Sequence, residues 1–148
     1  EEEVKRNWEK LKMKEGKESV LEGVPRSLPS MVKAQRIQEK ARGAGFDWEK
    51  PEQVWEKVEE EFNEFQEAVS RKDQKEMSAE LGDVFFSLIN YARFHNLNPD
   101  EALERTNRKF ISRFRYMEEK VKESGKTLHE LSLAQMDVFW NQAKTTEI

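Results

Sequence analysis

Cysteine is absent from the chain of 148 residues, which excludes disulfides and thiolate metal sites. Glycine and proline are scarce, at six and four. With 38% charged and 36% hydrophobic residues, this composition suits a helical protein with heavily charged outer faces. No apolar run reaches transmembrane length and no secretory signal is visible, so the expectation is a soluble, cytoplasmic protein with no membrane partner. An excess of positive charge is also lacking. The net charge of −4 argues against general nucleic-acid binding. Strand-like alternation, internal repeats and a phosphate-cradling glycine loop are all missing. Aromatic residues are not: nine Phe, four Trp and two Tyr argue for a packed core over disorder. At this length one domain is expected.

Residues 1–24 are polar, with Val4, Trp8 and Leu11 at helical spacing. They read as a short helix and a flexible linker. The start at Glu1 suggests a piece of something longer, with a further domain upstream. The domain proper is expected over 25–148. Pro25 to Pro29 is an extended entry, since each proline disfavours helix before it. Ser30 is expected to cap a first core helix bearing Met31, Ala34, Ile37 and Ala41, stopped by Gly43 and Gly45. Phe46, Asp47 and Trp48 form a connector. Pro51 opens a second helix, whose stripe is Val54, Val58, Phe62, Phe65 and Val69.

A third helix is expected from about Gln74 to Asn96. Its main stripe is Met77, Leu81, Val84, Phe85, Leu88 and Ala92, widened by Phe86 and Ile89, which predicts the most buried helix of the chain. Asn98, Pro99 and Glu101 carry the signals of a new helix start. There Leu103, Asn107, Phe110, Phe114, Met117 and Val121 alternate by four and three as a packing seam, until Gly125. Thr127 with Glu130, and Ser132 with Gln135, are capping-box pairs ahead of a last helix bearing Met136, Phe139, Trp140 and Ala143. The fold class is therefore all-α, a bundle of about four to five helices.

Two carboxylate pairs at one-turn spacing stand out. Glu61 and Glu64 lie in the second helix, in the strip Lys57, Glu61, Glu64, Ala68 beside its apolar stripe. Glu80 and Asp83 lie in the third, where Asp83 adjoins Val84, Phe85 and Phe86 and a bare carboxylate is costly to bury. If the two helices pack antiparallel, the acidic strips face one cleft. Their mutual repulsion and desolvation would raise the pKa values, and a divalent cation would relieve both. Oxygen-only donors suit Mg²⁺ or Mn²⁺ rather than zinc. The plainer alternative stands beside this one. With 30 acidic residues the Glu-x-x-Glu spacing is cheap, and Glu15/Glu18, Glu49/Glu52, Glu56/Glu59 and Glu101/Glu104 share it. Glu61/Glu64 then reads as a solvated face, and Glu80/Asp83 as first-turn acids favoured by the helix dipole.

Arg105, Arg108, Lys109, Arg113 and Arg115 cluster in the fourth helix. Asn107, Lys109 and Arg113 can bind phosphate oxygens. They read equally as a solvated basic face, with Asn107 buried to fix helix register. His95 and His129 are lone histidines near helix ends. Neither follows a glutamate by three residues, as a di-iron bundle requires.

Taken in order, PRSLPSMVKAQRIQEKARGAGFDW, EEEFNE, ELGDVFFSLINYAR, NRKFISRF and VFWNQAK resemble the MazG family of nucleoside triphosphate pyrophosphohydrolases, over nearly all of residues 7–144. The signature Glu-Glu-x-x-Glu followed by Glu-x-x-Asp reads Glu60, Glu61, Glu64, then Glu80 and Asp83. The resemblance implies an all-α, usually dimeric, Mg²⁺-dependent enzyme that converts a nucleoside triphosphate to the monophosphate and pyrophosphate. It implies Glu61, Glu64, Glu80 and Asp83 as metal ligands, with Glu60 as a supporting acid or water-positioning group. It further implies that Lys57, Asn107, Lys109 and Arg113 contact the nucleotide, with Trp140 near it. One of Glu60, Glu61 or Glu64 would serve as general base. Two alternatives remain open at this point. One is a related enzyme with a narrow substrate such as dUTP or phosphoribosyl-ATP. The other is a catalytically silent helical dimer that binds a partner protein or senses nucleotide.

Overall fold

A computed structural model describes residues 1–7 and 18–146, and no strand occurs among them. Trp8 and Leu11 of the expected N-terminal stripe lie outside the described residues. Five α-helices follow the entry segment: α1 (Ser30–Gly43), α2 (Pro51–Arg71), α3 (Gln74–Phe94), α4 (Pro99–Glu123) and α5 (Leu133–Thr146), with a 3₁₀ turn at Leu128–Glu130 before α5. The chain divides into two compact units, Glu1–Asp100 and Glu101–Ile148.

In the first unit, α2 and α3 are the principal packed pair, and α1 packs on α3. Only Lys72 and Asp73 separate α2 from α3, a connection short enough to enforce an antiparallel hairpin. Lys72 reverses the chain at φ 57°, and the Asp73 carboxylate accepts from the backbone N–H of Lys75 and Glu76 to cap α3. Ser30 does not cap α1 as expected. It is the first helical residue after Pro29, which takes the N-cap position without a side-chain bond. Gly45, at φ 97°, completes the turn out of α1. Pro51 opens α2, as its fixed φ favours. The connector is tied to α3 by an ion pair, Arg93 Nη2 to Asp47 Oδ1 at 2.7 Å. Glu2 also meets Arg42 of α1 in an ion pair.

The core of this unit is narrower than the expected stripes. Val54, Val58 and Ala68 of α2 are buried with Val84 and Ile89 of α3, but Phe62 and Val69 are 42% and 45% exposed. Leu81, Phe85 and Phe86 of α3 are exposed as well, so the helix predicted to be most buried keeps part of its apolar surface in the open. α3 packs on both α2 and α1, and these contacts cover Leu81, Phe85 and Phe86 only in part, at 38%, 50% and 45% exposure.

In the second unit Met117 and Val121 of α4 and Ala143 of α5 are buried. The Trp140 and Phe110 rings pack 5.0 Å apart. The expected seam holds only at its C-terminal end. Leu103, Asn107 and Phe110 are exposed, so Asn107 is not the buried register-fixing residue of the sequence expectation. The Ser132–Gln135 capping box forms reciprocally, with backbone–side-chain bonds of 2.8 and 3.2 Å. The Thr127–Glu130 pair opens only the 3₁₀ turn.

Candidate metal and nucleotide site

Three carboxylates converge on the face where α2 meets α3. One oxygen each from Glu61, Glu64 and Glu80 lies within 4.8 Å of the others, the only such group of three acids or histidines among the described residues. The convergence follows from helix geometry. Glu61 and Glu64 are one turn apart on α2, and the antiparallel hairpin brings the N-terminal half of α3, with Glu80, alongside them.

Glu61 is not beside the buried stripe but in it. It is 6% exposed, among Val54, Val58 and Ala68. Lys57 Nζ donates to Glu61 Oε1 at 2.9 Å and reaches Glu60 Oε1 at 3.5 Å. Oε2 of Glu61 and Oε2 of Glu80 are buried with no hydrogen-bond partner. A buried carboxylate oxygen without a donor is costly and needs a reason. The Glu64 carboxyl is held above its ordinary range, chiefly by the charge of Glu61, then by partial burial and by the charge of Glu80. Lys57 is raised in turn, first through its hydrogen bond to Glu61.

Asp83 lies one turn beyond Glu80, exposed, and is not one of the three grouped carboxylates. Glu60 is exposed and paired with Lys57. Asn107 and Lys109 are exposed on α4. Arg113 stands 6.0 Å over the Trp140 ring. These last four residues belong to the second unit. His95 packs edge-on against Tyr91 at the end of α3, and His129 sits exposed in the 3₁₀ turn; neither joins the acids.

Gln38 is the functional candidate that the apolar stripes passed over. It is 6% exposed, its Nε2 donates to the Phe86 carbonyl at 2.9 Å, and its Oε1 is buried without a partner. The signal was present in the sequence: Gln38 follows Ile37 and lies one turn from both Ala34 and Ala41, a polar side chain on an apolar face.

The acidic group fits a hard divalent cation. All donors are oxygens, two of them lack partners, and the mutual repulsion recorded in Glu64 is what a cation relieves. The MazG nucleotide pyrophosphohydrolase domain matches residues 49–117, a span that contains all three acids and Asp83. The chain is 42% identical over 142 residues to the nucleoside triphosphate pyrophosphohydrolase/pyrophosphatase MazG of Thermotoga maritima, covering 94% of this chain and 54% of that protein. It is 36% identical over 152 residues to a nucleoside triphosphate pyrophosphohydrolase of Escherichia coli K12, covering 99% and 58%. A Bacillus subtilis protein, YabN, is 46% identical over 151 residues, covering 99% of this chain and 31% of its own length. The chain thus spans a little over half the length of the first two relatives.

Proposed function

We propose that this chain, which belongs to the MazG family, is a divalent-metal-dependent nucleoside triphosphate pyrophosphohydrolase, with Mg²⁺ (or Mn²⁺) held by Glu61, Glu64, Glu80 and Asp83. The observation that carries the reading is the convergence of three carboxylates with two orphaned buried oxygens. The named activities of the relatives from Thermotoga maritima and Escherichia coli support it. Residues 25–148 form the catalytic region and 1–24 lead into it.

The reaction is attack of water on the α-phosphorus, with pyrophosphate as leaving group and the nucleoside monophosphate as second product. When bound, the cation supplies Lewis acidity to the phosphate oxygens. The chain's own residues do the rest. Lys57 keeps Glu61 oriented through its 2.9 Å bond and offers a positive charge near the phosphates. One of Glu60, Glu61 or Glu64 takes the proton of the attacking water; Glu60 is exposed on the same helix and within 3.5 Å of Lys57. Asn107, Lys109, Arg113 and Trp140 are assigned to nucleotide contact on the family resemblance alone.

The assembly is a homodimer in this reading. Leu81 and Phe85 are exposed on α3 of the first unit, and Leu103, Phe110 and Ile111 on α4 of the second, apolar side chains that a second copy of the chain would cover. Sedimentation showing only monomer at working concentrations would remove the dimer. No helix among the described residues is long and apolar enough to cross a membrane, and a cytoplasmic location, where nucleoside triphosphates are abundant, follows from the reaction.

The test is product analysis with the common ribo- and deoxyribonucleoside triphosphates, in Mg²⁺ and in chelator. Metal-dependent pyrophosphate with equimolar monophosphate is expected. Orthophosphate in place of pyrophosphate would place the attack at a different phosphorus and overturn the assignment. Turnover of dUTP or phosphoribosyl-ATP alone would narrow the substrate without changing the chemistry.

A further inference from the structure

The two oxygens of Glu61 have different fates. Lys57 Nζ donates to Oε1 at 2.9 Å, and Oε2 is buried with no partner. Lys57 lies one turn before Glu61 on α2, so the helix alone is enough to bring the pair together. The order is the weaker one for a helix, which gains more from a glutamate four residues before a lysine than four after it. Helix stability is therefore a poor account of this ion pair.

The partners also differ in freedom. Glu61 sits in the packed line of α2 with its side chain 7% exposed, whereas Lys57 is 40% exposed. Glu60 Oε1 stands 3.5 Å from the same ammonium. Lys57 can thus leave Glu61 for Glu60, for solvent or for an incoming anion, and the Glu61 carboxylate cannot follow it. Nor does Lys57 complete the acidic group. Glu80 Oε2 keeps no partner, and one ammonium on one oxygen does only part of what a divalent cation would do for three carboxylates. A cation arriving alone meets a like charge already placed on Glu61. A cation arriving with phosphates brings the ammonium a new partner.

We propose that Lys57 couples the two ligands of the site. In the metal-free protein it holds Glu61. It opposes a divalent cation that arrives without nucleotide, and it exchanges Glu61 for a substrate phosphate when both arrive together. The proposal rests on the metal and nucleotide reading of the acidic group, and adds to it a dependence between the ligands. Free cation binds weakly, the cation–triphosphate complex binds tightly, and by linkage each ligand raises the affinity for the other. Lys57 then selects for metal already bound to phosphate over the free ion.

The experiment is calorimetric titration of the full chain, wild type and Lys57→Met. The titrant is first Mn²⁺ alone, then the preformed complex of Mn²⁺ with α,β-methylene ATP, whose α–β bridge resists cleavage. Lys57→Met is expected to bind Mn²⁺ alone about three- to tenfold more tightly, a modest gain because the ammonium is partly in solvent. It is expected to bind the complex at least about fivefold more weakly. Lys57→Arg, which keeps the charge, should follow wild type on Mn²⁺ alone. If orienting Glu61 were all that Lys57 does, its loss would weaken both. Equal or weaker binding of Mn²⁺ alone by a folded Lys57→Met would overturn the proposal, as would an unchanged affinity for the complex. Should Lys57→Met not fold, judged by circular dichroism, Lys57→Gln replaces it; failure of both would show the pair to be structural and overturn the proposal too. No Mn²⁺ binding to either protein, with or without nucleotide, would instead remove the metal reading and the proposal with it.

Discussion

Glu61→Gln separates a metal ligand from a structural ion pair. In metal-free protein the substitution removes the repulsion of Glu61 with Glu64 and with Glu80, whose oxygens all lie within 4.8 Å of one another. At that distance each of the two charge pairs repels by about 3.5 kcal/mol at an effective dielectric of 20 and by about 1 kcal/mol in water. It also removes the attraction of Lys57 at 2.9 Å, about 6 kcal/mol and about 1.4 kcal/mol in the same two limits. Lys57 is 40% exposed, which moves its attraction toward the lower limit. The two effects oppose each other and are of similar size, so metal-free stability should change by less than about 2 kcal/mol. The metal-bound state should differ sharply. Mg²⁺ at a hundred times its dissociation constant stabilises the wild type by about 2.7 kcal/mol, and Glu61→Gln should lose most of that along with turnover. Urea unfolding with Mg²⁺ and with chelator, beside pyrophosphate release, measures all three quantities. A loss of about 3–5 kcal/mol in chelator, the signature of breaking a buried structural pair, would refute the reasoning, as would an undiminished response to Mg²⁺.

Asp83→Asn should nearly abolish turnover while shifting stability by no more than about 0.5 kcal/mol, since the side chain is exposed. Unchanged kcat would remove Asp83 from the ligand set. The raised pKa of Glu64 has a definite sign in metal-free protein: the fold favours its protonated form, so its stabilising contribution is complete below 4.5, the ordinary value, and is lost as pH rises through the raised one. Thermal melts in chelator across that range should fall more steeply for wild type than for Glu64→Gln, and parallel curves would contradict the assignment. Val58, fully buried, should cost about 2 kcal/mol on truncation to Ala, read as a lower urea midpoint, whereas Val69→Ala, at 45% exposure, should cost well under half of that. Equal losses would mean that Val69 is covered in solution.

The helices were legible in the sequence because their stops and starts have local chemistry: Gly43 and Gly45, Pro51, Pro99 and Gly125 all fall within a residue or two of the observed ends. Which face of each helix is inside was less legible, and the acidic site depends on that face. Winding α2 at about 100° per residue from Val54 puts Val58 at about 40°, Glu61 at about −20°, Ala68 at about −40°, Val69 at about 60° and Phe62 at about 80°. The residues actually buried span −40° to 40°. A stripe drawn through the bulky apolar side chains is pulled toward Phe62 and Val69 and leaves Glu61 at its margin, whereas the packed helix has Glu61 near its centre. The same wheel on α3, taken from Val84, puts Glu80 at about −40° and Asp83 at about −100°, so Glu80 reaches the acids of α2 and Asp83 stays in solvent. Hydrophobicity could not announce this, because its largest residues mark the α3 and α2 surfaces left open rather than those closed. The misfit is itself informative: a core line with a glutamate at its middle, an orphaned oxygen on that glutamate, and phenylalanines displaced to the exterior is a poor solution for stability alone. It becomes a coherent one under the function proposed above, in which the interior of the hairpin holds a cation and the displaced apolar surface meets a second copy of the chain.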